Sequence, residues 1–124
     1  MTLLEMASDL QHKADGPDVF DAVDTYYHDA ITLVEATGEV VHGKDTQKGR
    51  IQEWLDSVEE VHGGGVTAIA AHETAPGTGV VFVETATDAT FKGAGRQKIE
   101  EVAVQQWRDG QVVHERFYYN APDM

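Results

Sequence analysis

The chain has 124 residues, 22 acidic against 9 basic for a formal net charge of −13, and no cysteine. That length suits one domain over residues 1–124 with a core of its own, and the negative balance argues against nucleic acid and anionic membrane surfaces as partners. Without cysteine there is neither a disulfide framework nor thiolate chemistry, and without an apolar run of about 18 residues or a basic N-terminal region neither a membrane span nor a signal peptide is expected, so the location predicted is cytoplasmic. The acids are spread along the chain and 41% of residues are hydrophobic, the composition of a folded domain. Two origins fit the acidic excess: a halophilic surface suited to high salt, or an ordinary acidic cytosolic one.

In chain order, Leu3, Leu4, Ala7 and Leu10 follow helical spacing, which predicts a helix over Thr2–Ala14 ended by Asp15-Gly16-Pro17. A second helix follows, with Asp15 or Gly16 as its cap, Pro17 near its first position, and Val19, Phe20, Val23 and Tyr26 or Tyr27 as its buried stripe. The period changes at His28-Asp29, where Asp29 is expected to cap backbone amides. Ala30–Ala36 reads as a strand, Thr37-Gly38-Glu39 as a turn and Val40–His42 as the short partner strand. A third helix is expected from Gly43-Lys44-Asp45, capped by Asp45 or Thr46, with Ile51, Trp54, Leu55 and Val58 facing the core and His62-Gly63-Gly64-Gly65 breaking it. Val66–Glu73 is then a strand and Thr74–Gly79 a loop. Val80–Phe91, Lys98–Arg108 and Gln111–Tyr119 complete a meander whose last hairpin turns at Asp109-Gly110, a pair that supplies the positive φ of a primed turn.

A meander of this length is unstable with both faces in water. The expected fold is therefore α+β: a cone-shaped, strongly curved, mostly antiparallel sheet with three helices packed on one face and an interior able to hold a small molecule.

Three stretches carry a resemblance to a known family: Tyr26–Glu35, Gly38–Lys44 running into a helix with Trp54, and Trp107–Asn120 with its sequence Trp-Arg-Asp-Gly-Gln-Val-Val-His-Glu-Arg-Phe-Tyr-Tyr-Asn. With the element order they resemble the SnoaL-like branch of the nuclear transport factor 2-like superfamily over nearly the whole chain. That superfamily includes isomerases, polyketide cyclases, epoxide hydrolases, dehydratases and members without catalysis, so the resemblance implies the fold and leaves the chemistry open. The ketosteroid isomerases of the superfamily carry a general-base carboxylate eight positions after an aromatic at the end of the second helix. From Tyr27 that position is Glu35. Their protonated Asp, an oxyanion donor on the second-to-last strand, falls near Ala103, and their first-helix Tyr has no counterpart in Thr2–Ala14. Only the base position carries over.

Alternation along the strands predicts the pocket. If Ala103 faces inward, so do Gln105 and Trp107, together with Val113, Glu115, Phe117 and Tyr119 on the final strand and Val81, Val83, Thr85 and Thr87 on the earlier one. Tyr27, Val81, Val83, Gln105, Trp107, Phe117 and Tyr119 are thus the expected substrate pocket, an apolar and aromatic cavity with two acids. Glu35, Glu115 and His42 are the candidate proton-transfer groups. Each has an inert counterpart: a hydrogen-bonded or solvated acid near a turn for Glu35, a carboxylate paired with a buried Tyr, Gln or base for Glu115, and a surface histidine for His42. The six histidines show no local pair, so no metal site is expected, and Gly93-Ala94-Gly95 is a hairpin turn rather than a phosphate loop, so no cofactor is expected.

The opposite sheet face carries Val80, Phe82, Glu84, Val102, Val104, Gln106, His114, Arg116 and Tyr118, too apolar to be fully solvated, and predicts a homodimer through that face. Two functions fit: an isomerase, cyclase or lyase using a carboxylate base on an apolar carbonyl compound, or a non-catalytic ligand-binding or assembly module.

Overall fold

Antiparallel pairing of four successive long strands organises the molecule, and the computed structural model describes residues 1–119 of it; Asn120, the end of the last motif quoted above, lies outside the described residues. The elements are α1 (Leu3–Ala14), α2 (Val19–Tyr26), β1 (Tyr27–Val34), β2 (Val40–His42), α3 (Lys44–Ser57), β3 (Val58–Ala75), β4 (Thr78–Phe91), β5 (Gly95–Arg108) and β6 (Gln111–Tyr119). The sheet order is β2-β1-β6-β5-β4-β3, with β1 parallel to β6 and every other pair antiparallel. This is the curved, unclosed α+β cone, and no helix among the described residues is long and apolar enough to cross a membrane.

A capping box opens α1: Glu5 N donates to Thr2 Oγ1 and Thr2 N to Glu5 Oε1. Its buried face is Leu3, Ala7 and Leu10, packed with Ala22, Val23 and Tyr26 of α2 and with Ile31, Leu33, Val81, Val83, Trp107 and Val112 of the sheet. The Glu73 carboxylate on β3 accepts from Leu3 N at 3.0 Å and Gly77 N at 3.2 Å, fastening α1 to the sheet edge.

The structure departs from the sequence reading at several element ends. α2 begins at Val19 with Asp18 as an N-cap that makes no side-chain bond, so Pro17 stands outside the helix, and Ala22 rather than Phe20 is buried. β1 starts at Tyr27, three residues earlier than Ala30, because Tyr27 already pairs with Val112 before a bulge. Asp29 caps nothing: its carboxylate is exposed and ion-pairs with Lys44, while the His28 ring accepts from Ala30 N.

Gly43 at φ 95° is the N-cap of α3, not Asp45 or Thr46, and no residue of α3 is fully buried. Ile51 alone is packed against the core; Trp54 and Leu55 are 40% and 39% exposed. Val58 ends the helix, so Gly63–Gly65 lie inside β3. Gly64, at φ 134°, runs so close to β4 that a Cβ would sit 2.3 Å from the Ala86 carbonyl oxygen, the contact only glycine permits. At the final hairpin Asp109 (φ 51°) and Gly110 (φ 80°) both take positive φ, as a primed turn requires.

Candidate functional site

Strand register decides what the concave face presents. Opposite pairs run Thr87↔Ile99, Thr85↔Glu101↔Tyr119, Val83↔Ala103↔Phe117 and Val81↔Gln105↔Glu115 across β4, β5 and β6. The buried positions Val81, Val83, Ala103, Gln105, Trp107 and Glu115 mark this face as inner, while Phe82 and Tyr118 on the other are 47% and 51% exposed. A bulge between Gln106 and Trp107 resets β6, so Val112 occupies the core place expected for Val113.

α3 crosses the open end of this face and closes a cavity of about 450 Å³. Its walls are Gln47, Arg50, Ile51 and Trp54 from α3, Thr85 and Thr87 from β4, Ile99 and Glu101 from β5, Phe117 and Tyr119 from β6, and Glu35 just past β1. A second, inner cavity of about 120 Å³ shares Ile51, Thr85, Glu101 and Phe117 with it and continues under α1 and α2 to Tyr27, Val83, Ala103 and Glu115. The small side chain of Ala103 keeps that inner space open.

Three carboxylates face this space, each in a different state. Glu35 is already engaged: Arg50 Nη2 donates to it at 2.6 Å and Tyr119 Oη at 3.3 Å, and Arg50 also bonds the exposed Glu39. Glu115 is fully buried at the floor, accepting from Tyr27 Oη at 2.5 Å and Gln105 Nε2 at 2.7 Å; Gln105 Oε1 in turn accepts from Trp107 Nε1 at 3.0 Å. Desolvation raises the Glu115 pKa, against which the two hydrogen bonds act. Burial, and then the charge of Glu115, push the Tyr27 phenol well above its usual value, so it stays a donor.

Glu101 differs from both. It lines both cavities, and burial, with the charges of Glu115 and Glu35 added, pushes its pKa up to about 7, with no hydrogen bond from the described residues offsetting them. A carboxyl with that value is half ionised at neutrality and can both take and return a proton. Tyr119, directly across from it, has its phenol pKa raised by desolvation first and by Glu35 second.

The expected site residues therefore separate. Glu35, Phe117 and Tyr119 line the main cavity, and Tyr27, Val83 and Glu115 the inner one. Val81 and Trp107 lie in the core outside both, Trp107 edge-on to Tyr26 with ring centroids 5.6 Å apart. Gln105 is buried with both ends of its amide engaged, to Glu115 and Trp107, and lines neither cavity. His42 points away from the cavity: it pairs with Thr32, and Thr32 with His114, in a row on the outer face, because a side chain's face alternates along each strand and Val41 takes the inward place.

Sequence reasoning missed Glu101 and Arg50. Glu101 carried a signal, lying two residues before Ala103 and so on the same face. Arg50 carried none, since its place depends on how α3 crosses the sheet. Among the described residues no three His, Asp or Glu side chains gather in a metal-binding arrangement.

Comparison with known proteins gives a consistent result. The family model for the SnoaL-like domain matches residues 1–119. A crystal structure from Mesorhizobium loti, of a protein provisionally named a SnoaL-like polyketide cyclase, is 30% identical over 96% of this chain and 100% of that one, with a TM-score of 0.81. The provisionally named polyketide cyclase of Pseudomonas putida (15% identity, 99% and 95% of the chains, TM-score 0.78) and isomerase of Bacillus subtilis (17%, 97% and 90%, 0.75) share the fold. No protein of curated function matches the chain.

Proposed function

Because this chain belongs to the SnoaL-like domain family, we propose that it is a proton-transfer enzyme of the isomerase, cyclase or lyase type, acting on an apolar carbonyl compound with Glu101 as its acid–base group. The observation that carries this reading is the state of Glu101: a cavity-lining carboxyl raised to about 7, where general acid–base catalysis is most effective. Glu35, at the position the family resemblance assigns to the base, is held by Arg50 and Tyr119 and serves here to orient them.

In the proposed step the Glu101 carboxylate takes a proton from the carbon α to the carbonyl, and the C–H electron pair moves into an enolate whose oxygen gains charge. Arg50, whose guanidinium keeps N–H groups beyond those given to Glu35 and Glu39, is the cavity donor available to that oxygen, which meets the need left open by Ala103. Glu101 then returns the proton to a second carbon in an isomerisation; in a cyclisation the enolate carbon attacks a second carbonyl carbon of the same molecule, the C=O π pair moves onto that oxygen, and the oxygen takes the proton back from Glu101. Glu115, Tyr27, Gln105 and Trp107 form the rigid floor, and the Glu115 charge helps hold Glu101 protonated.

Proton transfer leaves a label, so the test needs no knowledge of the natural product: apolar cyclic ketones and enones are incubated with the protein in heavy water and α-hydrogen exchange is followed by NMR. Exchange above the buffer rate is expected, falling by about 10²–10⁴-fold in Glu101→Gln. Ketone binding without exchange would instead support a ligand-binding module, the reading favoured by the internal pairing of Glu35 and Glu115.

We also propose that two copies pair through the outer sheet face. Its central rows, Ala70-Phe82-Val104-Arg116, Ala68-Glu84-Val102-Tyr118 and His72-Val80-Gln106-His114, hold one carboxylate, one guanidinium and two histidines, while the whole chain has a net charge of −13. The Arg116 guanidinium lies 5.1 Å from the centre of the Tyr118 ring. Like-charged copies approach most easily across such a neutral, apolar surface.

A further inference from the structure

We propose that the cavity selects an apolar molecule carrying a protonated amine, its ammonium against Glu101 and its hydrocarbon frame against Trp54, Phe117 and Tyr119. The assignment rests on the reading of Glu101 as the reactive group of the cavity, and goes beyond it by naming the charge of the ligand.

The cavity's one cation among the described residues, Arg50, bonds both Glu35 and Glu39 and is neutralised before any ligand arrives. Among the described residues Glu101 has no such partner, and Glu115 below it is met only by the neutral donors Tyr27 and Gln105. An anionic ligand would therefore face uncompensated carboxylates at short range in a poorly solvated space, and a neutral one would leave Glu101 unpaired. A cation supplies the missing charge.

Two further observations are independent of Glu101. Three aromatic side chains line the same cavity, Trp54 from the helix and Phe117 and Tyr119 from the sheet, and aromatic faces attract ammonium groups. The whole molecule carries −13, a field that draws cations toward it and repels anions. Together these make an organic ammonium, rather than an acid, phosphate or acyl carrier conjugate, the ligand class that matches the cavity. Its arrival also favours the ionised form of Glu101, the form the proposed proton abstraction uses.

The experiment compares three probes built on one ring: N,N-dimethylcyclohexylamine, cyclohexyl methyl ketone and cyclohexanecarboxylate, titrated by NMR against the full chain. At about pH 8 the amine should bind at least about tenfold more tightly than the ketone, and the carboxylate most weakly. The amine stays protonated across the range, so its affinity should rise about tenfold per pH unit up to about pH 7 and level off above it, following ionisation of Glu101. Glu101→Gln should remove both the preference and the pH dependence, and Trp54→Ala, at a half-exposed position that need not disturb the core, should weaken the amine roughly two- to fivefold more than the ketone.

Equal affinities for the three probes, tightest binding of the carboxylate, no amine binding at millimolar concentration, or an amine preference that survives Glu101→Gln would overturn the proposal. The proton-transfer reading fails separately, when bound ketone shows no α-exchange, so the two failures are distinguishable.

Discussion

Replacing Glu101 by Gln should stabilise the protein, an outcome opposite to that of losing a buried structural carboxylate. Folding raises this carboxyl from 4.5 to about 7. Between those values the native protein keeps a proton that the unfolded chain has released, so the group lowers stability progressively as pH rises through that window and by a constant amount above it. At about 1.4 kcal/mol per pH unit of pKa change, the full penalty is about 3 kcal/mol. The isosteric amide removes the charge and keeps the shape. Urea unfolding followed by far-ultraviolet circular dichroism should therefore give Glu101→Gln an advantage of about 2–3 kcal/mol at about pH 8, a Tm gain of roughly 10 °C, shrinking to near zero at about pH 4. Glu115 is also raised and acts with the same sign, so the diagnostic quantity is the difference between wild type and variant. A variant less stable at every pH, or a difference that does not change with pH, would refute the assigned environment. A residue kept at such a cost is retained for function rather than for folding.

Two further outcomes follow from the surface. Charged replacements on the outer face, Phe82→Glu with Tyr118→Glu, should convert a dimer to a folded monomer by sedimentation, since both side chains are about half exposed and outside the core; a monomeric wild type at micromolar concentration, or an unfolded variant, would contradict the proposed pairing. Raising KCl toward about 1 M should increase the Tm by screening repulsion within a chain of net charge −13, and a flat response would remove the salt-adapted reading of that charge.

Much of the fold was legible because its signals are local. Helical spacing located α1, the Asp109-Gly110 pair fixed the last hairpin, and alternation put Val83, Phe117 and Tyr119 inward. Local signals also misled where tertiary contacts override them. The glycines of β3 read as a helix breaker, yet their task is close approach to β4; the bulge after Gln106 exchanged Val113 for Val112; and Trp54 and Leu55 read as core although α3 serves as a cavity wall.

The site was less legible than the fold for the same reason. Position counting reached Glu35 but not Arg50, whose contact with it joins residues on separate elements and so changes the part that acid can play. Glu101 shared the face of Ala103, but nothing in its neighbours along the chain announces that it is held without a counter-ion; that follows only once β4, β6 and α3 close around it.

The most direct measurement is an NMR titration of the glutamate side-chain carboxyl carbons, with Glu101 assigned by its disappearance in Glu101→Gln. A midpoint near 7 is expected, with protonation retained through the range in which exposed glutamates are already ionised. A midpoint at the ordinary value of about 4.3 would contradict the central claim, since the carboxylate would then lack the raised basicity by which Glu101 is assigned as the group that takes the α-proton.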